Sequence, residues 1–217
     1  MIPASPVRLP RRSTVMAAAA LAAVAFYLGS MLIGGAVVPG YSHVADSVSE
    51  LTSSTGAHRW GIAWGFTAYN AAFAMMAVAL WRSVRRSTAS LIGTALWLLI
   101  AAAGVAMITA FPQDPRGTPL TSAGTGHLIL AGVAALGLIL SAFVWSRAFR
   151  DADPWADLAR GTFWFGWAIL AVGGAGAALG GIVPAVFGLG ERFTMVTYLG
   201  WFVWLGIGAV RRPQAQA

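Results

Sequence analysis

The stretch ASLIGTALWLLIAAAGVAMITAF, residues 89–111, runs twenty-three residues without a charge. At about 1.5 Å of rise per residue such a helix outreaches the roughly 30 Å hydrocarbon core of a bilayer. Arg85 and Arg86 precede it; Pro112 and Asp114 follow it. Moving outward, five more stretches share its character: Thr14–Val38, Trp60–Trp81, Gly124–Trp145, Leu158–Val183 and Phe193–Val210. None has a charge in its apolar centre. The expected fold is all-α, a polytopic transmembrane bundle of six helices. Residues 1–13 form one tail, 14–210 a single transmembrane domain and 211–217 the other tail.

Composition points the same way. The 217-residue chain is 58% hydrophobic and 10% charged, against about 25% charged in a soluble domain. So few charges cannot coat a water-facing surface. The first apolar stretch is read as a retained helix, because it exceeds the 7–15 residues of a signal-peptide core. The chain has no cysteine, which excludes disulfides, thiolate metal sites and a cysteine nucleophile.

All fourteen basic residues are arginines, and their placement explains the net charge of +7. Eleven lie in the two tails and in the second and fourth loops: Arg8, Arg11, Arg12, Arg82, Arg85, Arg86, Arg147, Arg150, Arg160, Arg211 and Arg212. Only Arg59, Arg116 and Arg192 lie in the other loops. Cytoplasmic loops retain arginine and lysine. The bias therefore predicts both termini in the cytoplasm of a prokaryotic plasma membrane and three loops outside. The charge is a topology signal, not a nucleic-acid footprint.

Helix 5 carries Gly173, Gly174, Gly176, Gly180 and Gly181 with Ala175, Ala177 and Ala178. Small residues allow close backbone approach, so helix 5 is expected near the bundle centre, packed tightly or beside a cavity. Trp60, Trp81, Trp145 and Trp155 near helix ends read as interfacial anchors.

The three outer loops hold the chemistry: PGYSHVADSVSELTSSTGAHR (Pro39–Arg59), PQDPRGTPLTSAGTGH (Pro112–His127) and PAVFGLGER (Pro184–Arg192). All three histidines are there, with Asp46, Glu50, Asp114 and Glu191. At 100° per residue, Val44, Val48 and Leu51 share one arc, and His43, Asp46 and Glu50 another, flanked by Ser42, Ser49 and Ser53. This predicts a short amphipathic helix in the first outer loop.

Its polar face suits several chemistries. His43, Asp46 and Glu50, with His127, form a candidate divalent-metal set. The same groups with Asp114 are candidate acids and bases. Ser42 or Ser49 beside His43 is a candidate nucleophile–base pair, although no accompanying nucleophile or zinc motif is present. The plain alternative is a solvated helix face. His127 lies about a turn inside helix 4, behind Ser122 as cap, at a depth where an ionisable residue is costly. Asn70, mid-helix 2, is either a binding group or an interhelical hydrogen bond. Glu191 and Arg192 open helix 6, and Arg192 is a candidate for an ion pair or an anionic headgroup. No haem is expected.

Three segments, GYSHVADSVSEL (Gly40–Leu51), FPQDP (Phe111–Pro115) followed by His127, and GLGERF (Gly188–Phe193), occur in that order. Together they resemble the prokaryotic membrane-protein family catalogued as domain of unknown function 998, from helix 1 to helix 6. The resemblance implies a six-helix membrane protein with polar motifs on one face. It draws attention to Ser42, Ser49, Glu50, Pro112, Asp114, His127 and Arg192. At Glu191 the family pattern suits glutamine equally. No activity comes with the resemblance.

Three functions follow as expectations. The outer face binds or processes a lipid or lipid-linked substrate; or the chain is a non-enzymatic accessory subunit; or it is a small transporter working as an oligomer. Membrane lipids are the expected partners, with a second copy or a partner subunit as further candidates. Transport is disfavoured because no Asp, Glu or Arg occupies a helix centre.

Overall fold

The computed structural model describes residues 11–53 and 57–212. Arg8 and most of both tails lie outside the described residues. Among the described residues there are six long helices: α1 (Arg11–Val37), α2 (Arg59–Ser83), α3 (Thr88–Thr109), α4 (Ser122–Arg150), α5 (Ala156–Ile182) and α6 (Phe187–Val210). All six are long and apolar enough to cross a membrane, and bulky apolar side chains such as Leu21, Ile33, Trp64, Leu91, Ile129 and Leu136 project from the bundle. Such a surface is stable in lipid and not in water. The protein is a multi-pass membrane protein.

Each helix packs against its neighbours in sequence, and α6 closes back onto α1, so the six form a ring. Where Gly206 of α6 meets α1, an added methyl group would lie 3.2 Å from Ala20 Cβ. One end of the ring gathers the helix ends expected there. Arg12 donates to the Arg82 carbonyl at 3.2 Å, Trp155 Nε1 to the Ser83 carbonyl at 3.1 Å, and Arg212 Nε to the Pro154 carbonyl at 2.9 Å. Both the start of α1 and the end of α6 lie at this arginine-rich end. The three polar loops gather at the other.

The arginine-rich half of the ring is filled. Trp97 of α3 sits at its centre, with the rings of Phe73, Trp145, Trp201 and Phe202 at 5.2–5.6 Å. Its indole N–H donates to Ser141 Oγ at 2.8 Å, answering the polar atom that burial would otherwise strand. Phe149 stacks between Trp145 and Trp155. Trp145 and Trp155 are therefore buried core residues and not interfacial anchors; Trp60, half exposed, fits that description better. End position alone does not distinguish the two uses, because the ring buries one face of each helix to its very end.

Three other expectations change. Helix 5 is not central: most of its membrane-spanning surface is exposed. Gly173, Gly176 and Gly180 face α6, where Gly176 and Gly190 bring backbones so close that an added methyl group on Gly176 would lie 2.8 Å from the Gly190 carbonyl oxygen. Helix α6 begins at Phe187 after a short 3₁₀ turn at Pro184–Val186, so Glu191 and Arg192 lie a full turn inside it. The α4 cap is Thr121, whose hydroxyl accepts from the Gly124 N–H at 3.1 Å; Ser122 is the first helical residue.

Candidate functional site

The first loop is a turn followed by a single 3₁₀ helix, Val48–Thr52, and not one amphipathic α-helix. Asp46 holds the turn, its Oδ2 accepting from the Ser42 N–H at 2.7 Å, while Ser42 Oγ accepts from the N–H groups of Val44 and Ala45. Ser47 caps the 3₁₀ helix. Val48 and Leu51 point into the bundle as the wheel implied, but Val44 is exposed.

This loop is strapped across the end of the ring. Glu191 Oε2 accepts from the Val48 N–H at 2.7 Å, and the Leu189 N–H donates to the Val44 carbonyl at 2.9 Å. Arg192 Nη1 donates to the carbonyls of Asp46 (2.9 Å) and Gly188 (2.8 Å). Its Nη2 meets the Tyr41 hydroxyl and, at 3.2 Å, His43 Nδ1. From the third loop, Arg116 pairs with Asp46 (2.7 Å) and Glu50 (3.2 Å) and donates to the Ala45 carbonyl at 2.9 Å. Gln113 reaches Ser47 Oγ at 3.4 Å.

Of the sequence-derived candidates, His43, Asp46, Glu50 and Arg192 thus come together, with arginines between them. Asp114 and His127 do not join them. Asp114 accepts from the Thr121 N–H and hydroxyl at 2.7 and 2.8 Å, which fixes the start of α4. His127 Nδ1 lies 2.9 Å from the Phe111 carbonyl. The metal set His43, Asp46, Glu50 and His127 is not assembled: among the described residues no three histidine or carboxylate side chains converge at metal-binding spacing. Arginine occupies the carboxylates that a cation would need. Nor do Ser42 and His43 form a nucleophile–base hydrogen bond. His43 Nδ1 faces Arg192, and the Ser42 hydroxyl serves its own turn.

Charge at this end is tuned by burial. His43 is held below the ordinary imidazole range, first by desolvation and then by Arg192. An arginine can only donate, so His43 Nδ1 is the acceptor and its proton sits on Nε2. Gly35 of α1 makes room there: a methyl group at that position would overlap the imidazole. Desolvation raises Glu50, with Arg116 opposing it. The Tyr41 hydroxyl is pushed up to about 12, again by desolvation.

Beneath the strap lies a cavity of about 420 Å³, lined from all six helices. Val48, Ser49 and Thr52 roof it, and small residues including Gly104, Ala131, Ala134 and Gly173 form its walls. Three tyrosines missed by the sequence reading define its floor: Tyr27, Tyr69 and Tyr198. The Tyr27 ring meets those of Tyr69 and Tyr198 edge-on at 4.9 and 6.2 Å. Asn70 also faces the cavity; its Nδ2 donates to the Phe66 carbonyl at 2.9 Å. His127, 4% exposed, lines the wall with its Nε2 unpartnered. The Glu191 side chain lines it as well. The available signal for the tyrosines was one aromatic hydroxyl at mid-depth in each of helices 1, 2 and 6.

The cavity opens sideways. Helices α4 and α5 hold each other in the arginine-rich half, through Ser146 to the Ala159 carbonyl (2.8 Å) and Phe143 against Trp167 (5.5 Å). Toward the loops they part: α4 turns to the third loop, with Gly126 against Phe111, and α5 to α6, with Gly180 against Phe187. Ala135 and Ala177 line the cavity yet are exposed. The opening between α4 and α5 therefore faces the apolar surface of the bundle.

A family model described as "Protein of unknown function (DUF998)" matches residues 20–208. Among curated proteins, a "Probable peptidoglycan glycosyltransferase FtsW" from Alkalilimnicola ehrlichii is 33% identical over 105 residues, covering 47% of this chain and 24% of that protein. The chain thus spans about a quarter of that relative's length. No solved structure matches.

Proposed function

The chain belongs to the DUF998 family, and from that footing we propose that it binds one lipid, or the lipid end of a lipid-linked molecule, in the cavity inside its helix ring. The observation that carries this reading is a cavity with apolar walls, a polar roof and a side opening onto the membrane-facing surface. Its volume falls within the roughly 300–1,000 Å³ of ligand sites. An apolar chain passing between α4 and α5 meets only small residues at Ala131, Ala135, Gly173 and Ala177. The polar end of the same molecule finds His127 Nε2, the tyrosine hydroxyls and the Glu191 carboxylate. Unpartnered buried polar atoms are costly, and a ligand hydroxyl or amide would relieve His127.

The reading is binding and not turnover. The carboxylates Asp46 and Glu50 of the first loop are occupied by Arg116, and the Ser42 hydroxyl accepts from its own turn. The fragment shared with the glycosyltransferase relative is too small to bring an activity with it. In this reading the arginine-rich end faces the cytoplasm, so the bound headgroup lies toward the outer leaflet.

The test is lipid content. Wild-type protein purified in mild detergent is expected to show one retained lipid per chain by native mass spectrometry, identified after extraction. Ala131→Trp fills the cavity and should lose it at least tenfold, with helical content and monodispersity unchanged; Ala131→Leu should lose it in part. Retention unchanged in both variants would overturn the proposal.

A further inference from the structure

A second opening lies at the other end of the molecule and shares no residue with the cavity. It is a groove of about 1,000 Å³ along the outer side of α2. At its mouth stand Arg12 from the start of α1, Arg82 from the end of α2 and Arg86 from the following turn. Its floor is apolar: Val15, Ala71, Ala74, Met75, Val78 and Leu98. From Arg82 back to Ala71 the groove follows three turns of α2, about 16 Å at the helical rise, away from the arginine-rich end toward mid-membrane. Val15, Ala71, Met75 and Leu98 are exposed along it.

Arg82 and Arg86 carry the charge of the mouth on which the site depends. No acidic residue among the described ones lines the groove. Of the three acids at this end, Asp151 pairs with Arg147 and Asp157 with Arg212, and Asp153 does not line the groove. The arginines are also positioned. Arg12 donates to the Arg82 carbonyl, which ties α1 to the end of α2. The Arg86 guanidinium lies over the Trp81 ring, 5.1 Å from its centroid, a stacked arrangement that leaves its N–H edge available.

A cationic mouth level with the helix ends, above an apolar track into the membrane, has the dimensions and polarity of a phospholipid. A guanidinium group matches the oxygens of a phosphate. Basic pockets between membrane helices on the cytoplasmic side recognise anionic headgroups. We propose that this groove is a binding site for an anionic phospholipid. The phosphate lies beside Arg82 and Arg86, with an acyl chain along Ala71, Met75 and Val78. The site is distinct from the central cavity, and its occupant is selected by charge.

The experiment compares two lipids. The full chain is placed in nanodiscs of phosphatidylcholine containing a minor fraction of phosphatidylglycerol, released, and scored by native mass spectrometry for bound lipid. Wild type is expected to enrich phosphatidylglycerol. Each arginine near an anionic headgroup contributes about fivefold, so Arg82→Gln with Arg86→Gln should reduce the enrichment roughly 5- to 25-fold. Arg147→Gln, at the same end but outside the groove, should leave it intact, as should Ala131→Trp in the central cavity. Met75→Trp, which blocks the floor and keeps every charge, should also reduce it.

Four results would overturn the proposal: no enrichment by wild type, equal losses in Arg147→Gln, full competition by soluble glycerophosphoglycerol, or enrichment that appears only after residues 2–10 are deleted. The third would identify a phosphate site without a lipid. The fourth would assign the groove to the chain's own N-terminal residues.

Discussion

Arg192 is one of only three arginines in the polar loops by sequence, and its contacts in the structure are neither an ion pair nor a headgroup. Its guanidinium reaches two backbone carbonyls, a phenol and an imidazole at once, a span that only a planar five-donor fork can cover. Its neighbour Glu191 was undervalued, since the family pattern suits glutamine there. In the structure it holds the Val48 N–H and lines the cavity. Sequence cannot rank such neighbours, because the helix start that decides their orientation was placed six residues late.

His43 makes the strap sensitive to pH. The groups facing it are Arg192, which stays charged, Tyr41, which stays neutral with its hydroxyl near 12, and the bare backbone at Gly35. Because the folded-state pKa lies below the ordinary imidazole value of 6.5, the unfolded loop binds more protons in the interval between the two values. Stability therefore rises with pH across that interval, is complete above 6.5, and is lost as pH falls through the folded value. Glu50, raised above 4.5, acts in the opposite sense. Hydrogen exchange at residues 41–50, corrected for intrinsic rates, should show the strap opening as pH drops below 6.5. His43→Gln keeps an acceptor for Arg192 and does not titrate, so it should remove that dependence; an identical profile in the variant would exclude His43 as the cause.

At the scale of elements, all six spans were legible, most within a few residues of their observed ends, because length and apolarity alone define a membrane helix. The exceptions were α4, five residues longer at its C-terminus, and α6, six residues longer at its N-terminus. Both extensions are amphipathic: they pack against the bundle while carrying charges, which a search for uncharged stretches rejects. The first loop failed for a related reason. Its helical wheel fits, but Asp46, Ser42 and Ser47 spend their polar atoms on turn and cap hydrogen bonds, and such local bonds compete with a regular helix.

The glycines of α5 divide into two kinds. Gly176 is a close-approach residue; Gly174 faces open space. Gly176→Val should force α5 and α6 apart at a cost of about 1–3 kcal/mol, read as a lower melting temperature in detergent. Gly174→Ala should leave that temperature unchanged or slightly higher. Equal behaviour of the two would mean that the Gly176–Gly190 contact does not stabilise the bundle.

At the scale of the molecule, the arginine bias predicts the orientation of the whole bundle. The chain contains no cysteine, so a single introduced thiol reports cleanly. Thr118→Cys in the third loop should react with an impermeant maleimide in intact cells. Arg85→Cys in the turn after α2 should react only after permeabilisation, and the reverse pattern would invert the topology.

The sequence by itself determined that this is a membrane protein of six helices with its polar motifs at one end. Those properties depend on how many consecutive residues avoid charge and on where charges are retained, both one-dimensional quantities. Only the tertiary structure decided that the ring closes from α6 to α1, that aromatic residues fill one half, and that the other half is a cavity. It also decided that Arg116, and not a metal-binding set, gathers Asp46 and Glu50. Closure, filling and pairing depend on which faces meet across long separations, and apolar composition around a membrane helix leaves those faces unmarked.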